Sequence, residues 1–221
     1  MTPAPSSSRH PRGSAAGPRA LLGLVAAASL TAAGCGLSAF AAKPDPTRFF
    51  VLAAAPATAP AGALDPSRTL GLGPIDIPSY LQRPELVVRE SATEIRPSSF
   101  DRWSESLDKG IARVLAQDLS TRLGLDRVTP YPWYATQEPT YQVRIDLRSF
   151  EATAKGEIQL SARWDVKRLG GDGPRIQRDS VLAPRAAGTD TREIVAALSA
   201  ALGQLADEIA TAVATLDAGH R

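Results

Sequence analysis

The sequence predicts an α+β domain, a mostly antiparallel sheet covered on one face by two amphipathic helices and preceded by a cleaved signal segment. Residues 141–147 and 158–166 alternate apolar and polar side chains, which is typical of half-buried strands. Apolar residues recur every three or four positions at 107–119 and 194–216, which indicates helices. The chain has 221 residues, 43% hydrophobic and 22% charged, which suits one globular domain.

The N-terminal segment has the parts of an export signal. Three arginines precede an uncharged stretch rich in Leu and Ala, which ends in small residues before Cys35, the only cysteine. The pattern LTAAGC is similar to the lipobox of bacterial lipoproteins, although Ala32 stands where Leu is expected. We therefore predict a signal peptide at 1–34 and a covalent lipid on Cys35, with no other cofactor.

Two other interpretations of this segment stay open. The uncharged stretch continues to Ala42, about the 20 residues that span a bilayer, so it could be an uncleaved transmembrane anchor. It could also be a plain secretory signal. All three place the rest of the chain outside the cytoplasm, as a lipidated tether at 35–46, a single domain at 47–217 and a tail at 218–221.

The charge balance argues against nucleic-acid binding. Arg9, Arg12 and Arg19 precede Cys35 and no acidic residue does, so the mature chain keeps 22 of the 25 basic residues against 23 acidic ones. Nucleic-acid binding normally needs a basic face, and this balance does not suggest one. Because no second cysteine exists, packing rather than an internal disulfide must stabilise the exported domain.

The segments before the first helix are predicted to be short strands. We predict them at 48–52, 69–77, 86–89 and 94–96. Within 69–77 the apolar parity changes around Gly73 and Pro74, which predicts a bulge or an edge position.

The remaining elements have start and stop signals. Ser104 is the predicted N-cap of the first helix, and Gly124 ends it. A strand at 127–129 follows, then a hairpin that turns at Lys155 and Gly156 and an edge strand at 175–182. Asp190 is expected to cap the last helix.

The sequence offers no catalytic motif. His10 lies in the signal and His220 next to the C-terminus, so no histidine-based triad or metal cluster can be built. The patterns of α/β-hydrolases, zinc proteases and P-loop enzymes do not occur. The pairs Asp101 with Glu105 and Asp207 with Glu208 are the remaining acid–base candidates, and we interpret them as solvated helix charges. We therefore expect no enzyme.

Aromatic residues in predicted turns are the candidate contact positions. Tyr80 stands between two prolines, Trp103 directly precedes the first helix, and Pro132 and Trp133 form a proline-flanked turn. The competing interpretation is that the two tryptophans pack under loop ends as lids on the core. Trp164 has the inward parity of its strand and is expected in the core.

Together these segments resemble the ABC-type transport auxiliary lipoproteins, the PqiC-like family. The resemblance runs from about 49 to 213 through FFVL, LGLGPIDIPSYLQRPELVVR, FDRWSESLDKGIARVLAQDLSTRLG, VTPYPW, YQVRIDLRSFE and IQLSARWDV. It supplies no catalytic residues, only signature positions, whose roles are contact or structure. They are Tyr80, Arg102, Trp103, Pro132 and Trp133.

The resemblance implies a non-enzymatic envelope lipoprotein that serves a lipid transport system between the inner and outer membranes. Its expected partners are an MCE-domain protein and a membrane component, and its expected place is the periplasmic face of the outer membrane. Gly36 after Cys35 is consistent with that membrane. A direct lipid carrier, a cell-wall hydrolase and a homo-oligomer are the alternatives to test.

Overall fold

The computed structural model describes residues 44–57, 62–134, 138–170 and 173–219. The predicted signal peptide, Cys35 and most of the predicted tether lie outside the described residues. The chain from Pro46 to Arg221 forms one unit. Its strands are β1 Arg48–Phe50, β2 Leu70–Asp76, β3 Glu85–Arg89, β4 Ile95–Trp103, β5 Val128–Pro130, β6 Tyr141–Thr153, β7 Ile158–Arg168 and β8 Arg175–Leu182; its α-helices are α1 Leu107–Leu123 and α2 Thr191–Ala218.

All eight strands form one sheet around the long strand β6. Strand β7 pairs with one edge of β6 over nearly its whole length, and β8 pairs with β7. The other edge of β6 is shared, because β2 pairs with its first half and β3 with its second half. Beyond these lie β5 next to β2, and β4 then β1 next to β3.

The prediction of a mostly antiparallel sheet is wrong, because the sheet is mixed. In the described part of the chain, β1–β4, β2–β5, β2–β6 and β3–β6 are parallel, and β3–β4, β6–β7 and β7–β8 are antiparallel. Apolar alternation reports which face of a strand is buried, but it does not report the strand's direction. Only the hairpin at Gly156 identified an antiparallel pair from the sequence, and this pair is confirmed.

The segment before α1 also differs from the prediction. The short strand at 94–96 is the start of β4, which continues to Trp103, so Trp103 ends a strand rather than lying in a turn. The middle of β4 is largely polar, which hid it from a search for apolar alternation. The helix then begins at Leu107 with Ser106 as its N-cap residue, two positions later than predicted.

The bulge predicted in β2 is confirmed. The β2–β6 register shifts between Leu72 and Ile75, where Gly73 has a φ of +122° and is followed by Pro74. Glycine is required there because a side chain at this φ would be strained, and its Cβ would lie 2.7 Å from the Cβ of Tyr131. The local shape of β2 therefore depends on one residue.

Both helices pack on one face of the sheet, which we call the inner face. Tyr141 of β6 points into this layer, and its hydroxyl donates to Asp217 of α2 at 3.0 Å. The helices are joined by the fully buried Arg122 of α1, whose guanidinium donates to Asp207 at 2.5 Å and to the Gly203 carbonyl at 3.0 Å. Helix α2 alone among the described helices is long and apolar enough to cross a membrane, yet 61% of that stretch is buried.

We expect Leu202→Ala to lower the free energy of unfolding by about 2–5 kcal/mol, because it removes a fully buried side chain from α2 and leaves a cavity. Val181→Ala is the matched control: Val181 is 79% exposed on β8, so the change should stay within about 0.5 kcal/mol. Denaturant unfolding measures both. Equal effects for the two variants would contradict the packing of α2 on the sheet.

Candidate functional site: the outer face of the sheet

The sheet face opposite the helices, which we call the outer face, is largely polar on β6, β7 and β8 and is open to solvent there. On β6 the exposed residues Arg144, Asp146 and Arg148 alternate with buried apolar residues. The antiparallel register sets these charges opposite charges of β7, with Arg144 beside Asp165 and Asp146 beside Arg163. The alternation predicted from the sequence is therefore confirmed, and it creates a charged strip across the sheet.

The strip continues onto β8 through ion pairs. Asp179 of β8 accepts from Arg148 at 3.2 Å and from Arg163 at 3.1 Å, and Arg175 donates to Asp165 at 3.1 Å. Exposed ion pairs of this kind contribute little to stability, so the strip is available for other contacts. It carries five basic and three acidic side chains, which are Arg144, Arg148, Arg163, Lys167 and Arg175 with Asp146, Asp165 and Asp179.

Tyr80 lies at one end of the outer face and covers the buried carboxylate of Glu151. The Glu151 side chain is fully buried, and it accepts from the Tyr80 hydroxyl at 2.9 Å, from Arg89 at 2.6 Å and from the backbone N–H of Phe150 at 2.8 Å. Three donors satisfy a charge that would otherwise be costly to bury. Arg89 also lines an adjoining open groove of about 570 Å³ together with Ser149.

The surroundings of Tyr80 hold its hydroxyl in the neutral form. Burial and the hydrogen bond to Glu151 raise the pKa of Tyr80 to about 12 from the ordinary 10.0, although Arg89 acts in the opposite direction. The neutral hydroxyl is the form that donates to the carboxylate. Tyr80 is therefore a structural donor to Glu151 and is itself a half-buried residue.

Arg102 and Trp103 point to opposite faces of β4. Arg102 lies on the outer face and forms an ion pair with Glu85 of β3. Trp103 is only 8% exposed on the inner face, and its backbone N–H donates to the Pro84 carbonyl at 2.7 Å. Trp103 therefore packs as a lid on the core, as the competing interpretation predicted. Contact with a partner would need Trp103 to move out of the core.

Pro132 and Trp133 cover the other end of the outer face. The Trp133 ring is half-buried and meets Tyr131 edge to face, with ring centroids 5.3 Å apart. A Cβ at Gly71 would lie 2.9 Å from this ring, so only glycine in β2 lets Trp133 come so close. Pro132 is exposed and follows Tyr131 through a cis peptide bond.

The predicted contact residues do not form one cluster. Gly71, under Trp133, pairs with Gln142 of β6, whereas Tyr80 bonds to Glu151 nine residues farther along the same strand. At about 3.3 Å per residue the two ends are roughly 30 Å apart. Tyr80 and Trp133 therefore flank the charged strip, and any partner that touches both must span the sheet.

The carboxylates considered for acid–base chemistry are each held by a separate partner. Asp101 of β4 accepts from Arg48 at 2.7 Å and from Thr191 at 2.6 Å. Burial alone would raise the pKa of Asp101, but these hydrogen bonds outweigh it and lower the pKa. Glu105 pairs instead with Arg113 at 2.6 Å. Asp101 and Glu105 therefore do not form a dyad.

The second carboxylate pair is also divided. Asp207 binds Arg122, and Glu208 accepts from Ser180, so the two neighbours have different partners. Within the described ranges, no group of three or more His, Cys, Asp or Glu side chains is placed to hold a metal ion.

A cavity between the sheet and the helices is small. It measures about 150 Å³ and is lined mainly by apolar residues, among them Leu86, Trp103, Phe150 and Leu198. Binding pockets for small molecules usually measure roughly 300–1,000 Å³. In this structure the space has no room for a whole lipid chain.

Residues 50–210 match the family of ABC-type transport auxiliary lipoprotein components. The chain belongs to this family. The resemblance seen in the sequence is confirmed, and it assigns the chain to a family of transport auxiliaries rather than to a family of enzymes. A search of curated proteins finds no match.

Two solved structures have the same fold as this family member. The crystal structure of an uncharacterized protein matches with a TM-score of 0.62 and 20% identity, covering 76% of this chain and 98% of that one. The crystal structure of protein XCC0632 from Xanthomonas campestris, of family DUF330, matches with a TM-score of 0.61 and 18% identity, covering 77% and 96%. At these identities the likeness concerns the fold alone.

The Glu151–Arg89 pair was missed in the sequence, although a signal for it exists. Inward residues of β6 have odd numbers up to Leu147, but Phe150 and Ala152 are buried on even numbers. This change of parity marks the register shift between Leu147 and Ser149, and it turns Glu151 toward the outer face.

We expect the Tyr80→Phe variant to lose less stability than the native protein between pH 10 and pH 12. A pKa raised in the folded state means that folding favours the neutral hydroxyl, a preference that is lost as the pH rises through about 12. Burial and the hydrogen bond to Asp217 also raise the pKa of Tyr141. The Tyr80→Phe variant should therefore still lose some stability as the pH rises. Denaturant unfolding across this range measures it.

The control for this prediction is Tyr134→Phe, at a residue that is 79% exposed. It should leave the native decline unchanged. If Tyr80→Phe and Tyr134→Phe behaved alike, the hydrogen bond between Tyr80 and Glu151 would not hold in solution.

Proposed function

We propose that this protein is a non-enzymatic, lipid-anchored docking subunit of a lipid transport system. Its partners would be an MCE-domain protein and the membrane component of that system, and it would act at the periplasmic face of the outer membrane. Support comes from the family, whose members are auxiliary lipoprotein components of ABC-type transport. The observation that carries the proposal is the uncovered, charged outer face.

The composition of the outer face suits a transient protein contact. Its exposed charges occupy β6, β7 and β8, and Arg144 has no carboxylate within 4.0 Å among the described residues. Charged surfaces give specificity and association rate more than affinity. Five basic against three acidic side chains favour a partner with an acidic surface.

The lipid on Cys35 would supply what the surface contacts lack in affinity. A tether confines the domain to a thin layer above the membrane, so a membrane-bound partner meets it at high effective concentration. Residues 36–46 separate Cys35 from the domain, which at about 3.3 Å per extended residue is a few tens of ångströms. Gly36 agrees with the outer membrane, and the inner membrane is the alternative.

A direct lipid carrier is the second candidate, and the size of the inner cavity disfavours it. About 150 Å³ lies below the roughly 300 Å³ at which ligand pockets begin, so this cavity would have to widen to hold a lipid chain, and the larger groove of about 560 Å³ between β2 and α1 is open to solvent. Mass spectrometry of the extracted protein decides between the two. A stoichiometric lipid beyond the one on Cys35 would favour the carrier.

Cys35→Ser should release the protein from membranes and leave the folded domain intact. Serine cannot accept the thioether-linked lipid, and position 35 lies before β1. Membrane fractionation with circular dichroism of both forms checks this. A variant that stays with membranes and keeps Met1 would show that a transmembrane helix, not a lipid, is the anchor.

Arg144→Glu combined with Arg148→Glu should reduce recovery of an MCE-type partner at least about tenfold, as expected when like charges oppose each other in a docked surface. The matched control is Lys109→Glu with Arg192→Glu, which reverses two exposed charges on the helix layer. Affinity purification from envelope extracts measures both.

Three outcomes of this purification are informative. Loss of the partner with the outer-face pair alone supports the proposal. Equal recovery with both pairs would exclude the charged strip as the docking surface. Failure of the native protein to recover such a partner, under conditions that preserve membrane complexes, would contradict the proposed function itself.

A further inference from the structure

Three of the large apolar side chains exposed in the described residues belong to one edge of the sheet. Phe49 in β1 is 65% exposed, Val51 directly after β1 is 54% exposed, and Phe100 in β4 is 52% exposed. We call these three residues the β1 patch. Two exposed phenylalanines on paired strands leave apolar area in water, and burying a Phe side chain is worth about 1.5–3 kcal/mol. The patch is therefore a candidate contact surface.

The strand register places Phe49 on the outer face, and the positions of Phe100 and Val51 in the chain indicate the same side. Phe49 pairs with Arg102, an outer-face residue, and Phe100 lies two positions before Arg102. Val51 has the same parity as Phe49. Phe50 and its partner Trp103 point to the inner face and pack with the core.

The patch lies where the predicted tether enters the domain. Phe49 is the second residue of β1 and is 14 residues after Cys35. Among the large exposed hydrophobic side chains of the described residues, Phe49 is the nearest in sequence to the predicted lipid, whereas Tyr131, Tyr134 and Val181 are far along the chain. The tether therefore keeps this edge within reach of the bilayer that holds Cys35.

The twist of the sheet lets this edge face the membrane while the charged strip faces elsewhere. Strand order from β1 through β4, β3, β6 and β7 to β8 has five steps. At roughly 20–25° per step the outer face turns by roughly 100–125° between β1 and β8. The β1 patch and the β7–β8 part of the outer face thus point in clearly different directions.

We infer that the β1 patch is a membrane-contact site, on which the domain rests against the surface of the bilayer that holds its lipid. The inference rests on the proposed lipid anchor at Cys35. Aromatic side chains partition into the headgroup region of a bilayer, and the tether makes that contact intramolecular, so two rings and a valine are sufficient. Contact at this edge leaves the strip on β6, β7 and β8 open to a partner.

The test uses the mature lipidated protein in vesicles of phosphatidylethanolamine and phosphatidylglycerol, part of which carries a nitroxide on the acyl chain. Phe49→Cys and, as the matched control, Val181→Cys are each labelled with an environment-sensitive fluorophore. Cys35 does not react because its sulfur carries the lipid. We expect the nitroxide lipid to quench the label at 49 at least about twofold and the label at 181 hardly at all, since only the first reaches the headgroup region.

Each other outcome overturns the inference. A label at 49 that is unquenched and open to aqueous iodide, on protein that floats with the vesicles, would show an anchored domain without bilayer contact. A label protected from both quenchers would show that a second copy of the chain covers the patch. Protein that does not float with the vesicles would contradict the lipid anchor, and the inference with it.

A second variant tests the patch without a label in it. Phe49→Ser with Phe100→Ser, carrying the fluorophore at 181, should show at least about a twofold gain in rotational mobility on vesicles, because the domain is then held by the tether alone. Tyr134→Ser, at an exposed aromatic residue away from the patch, should show no gain. Circular dichroism confirms that each variant is folded. Unchanged mobility in the double variant would overturn the inference.

Discussion

The structure depends on the register of one strand, β6. Its 13 residues pair with β7 on one side and with both β2 and β3 on the other. The positions of these three strands are therefore all set by their pairing with β6. A shift of one residue would send every apolar side chain of its first half to the solvent. The same register aligns the charges of the outer face and turns Glu151 toward Tyr80 and Arg89.

A buried charge holds the two helices together. Arg122 pairs with Asp118 within α1 and joins α1 to α2 through Asp207 and the Gly203 carbonyl, and a residue larger than Gly203 would meet Ala55. Burial raises the pKa of Asp118 although Arg122 attracts its charged form. Removing one member of such a group leaves an unpaired buried charge, whereas the exposed pairs of the outer face carry no such penalty. The interior is thus fixed, and the surface charges remain available for binding.

The separation of the two surfaces suits a tethered docking protein. The β1 patch lies at the edge where the chain enters the domain, and the charged strip lies toward β8, with Glu151 and its donors Tyr80 and Arg89 between them. A membrane and a protein partner could therefore be engaged together without competing for the same residues. The apolar faces of the helices pack in the core, so neither proposed contact uses them.

The sequence by itself determined the family, the two helices, the β6–β7 hairpin and the bulge at Gly73, because each depends on local periodicity, turn residues or a run of motifs. Strand direction, the length of β4, the buried position of Trp103 and the distance between Tyr80 and Trp133 were decided only by the tertiary structure. The physical reason is that these features depend on pairing between residues distant in the chain. Periodicity shows which side of a strand is buried, but not which strand lies beside it.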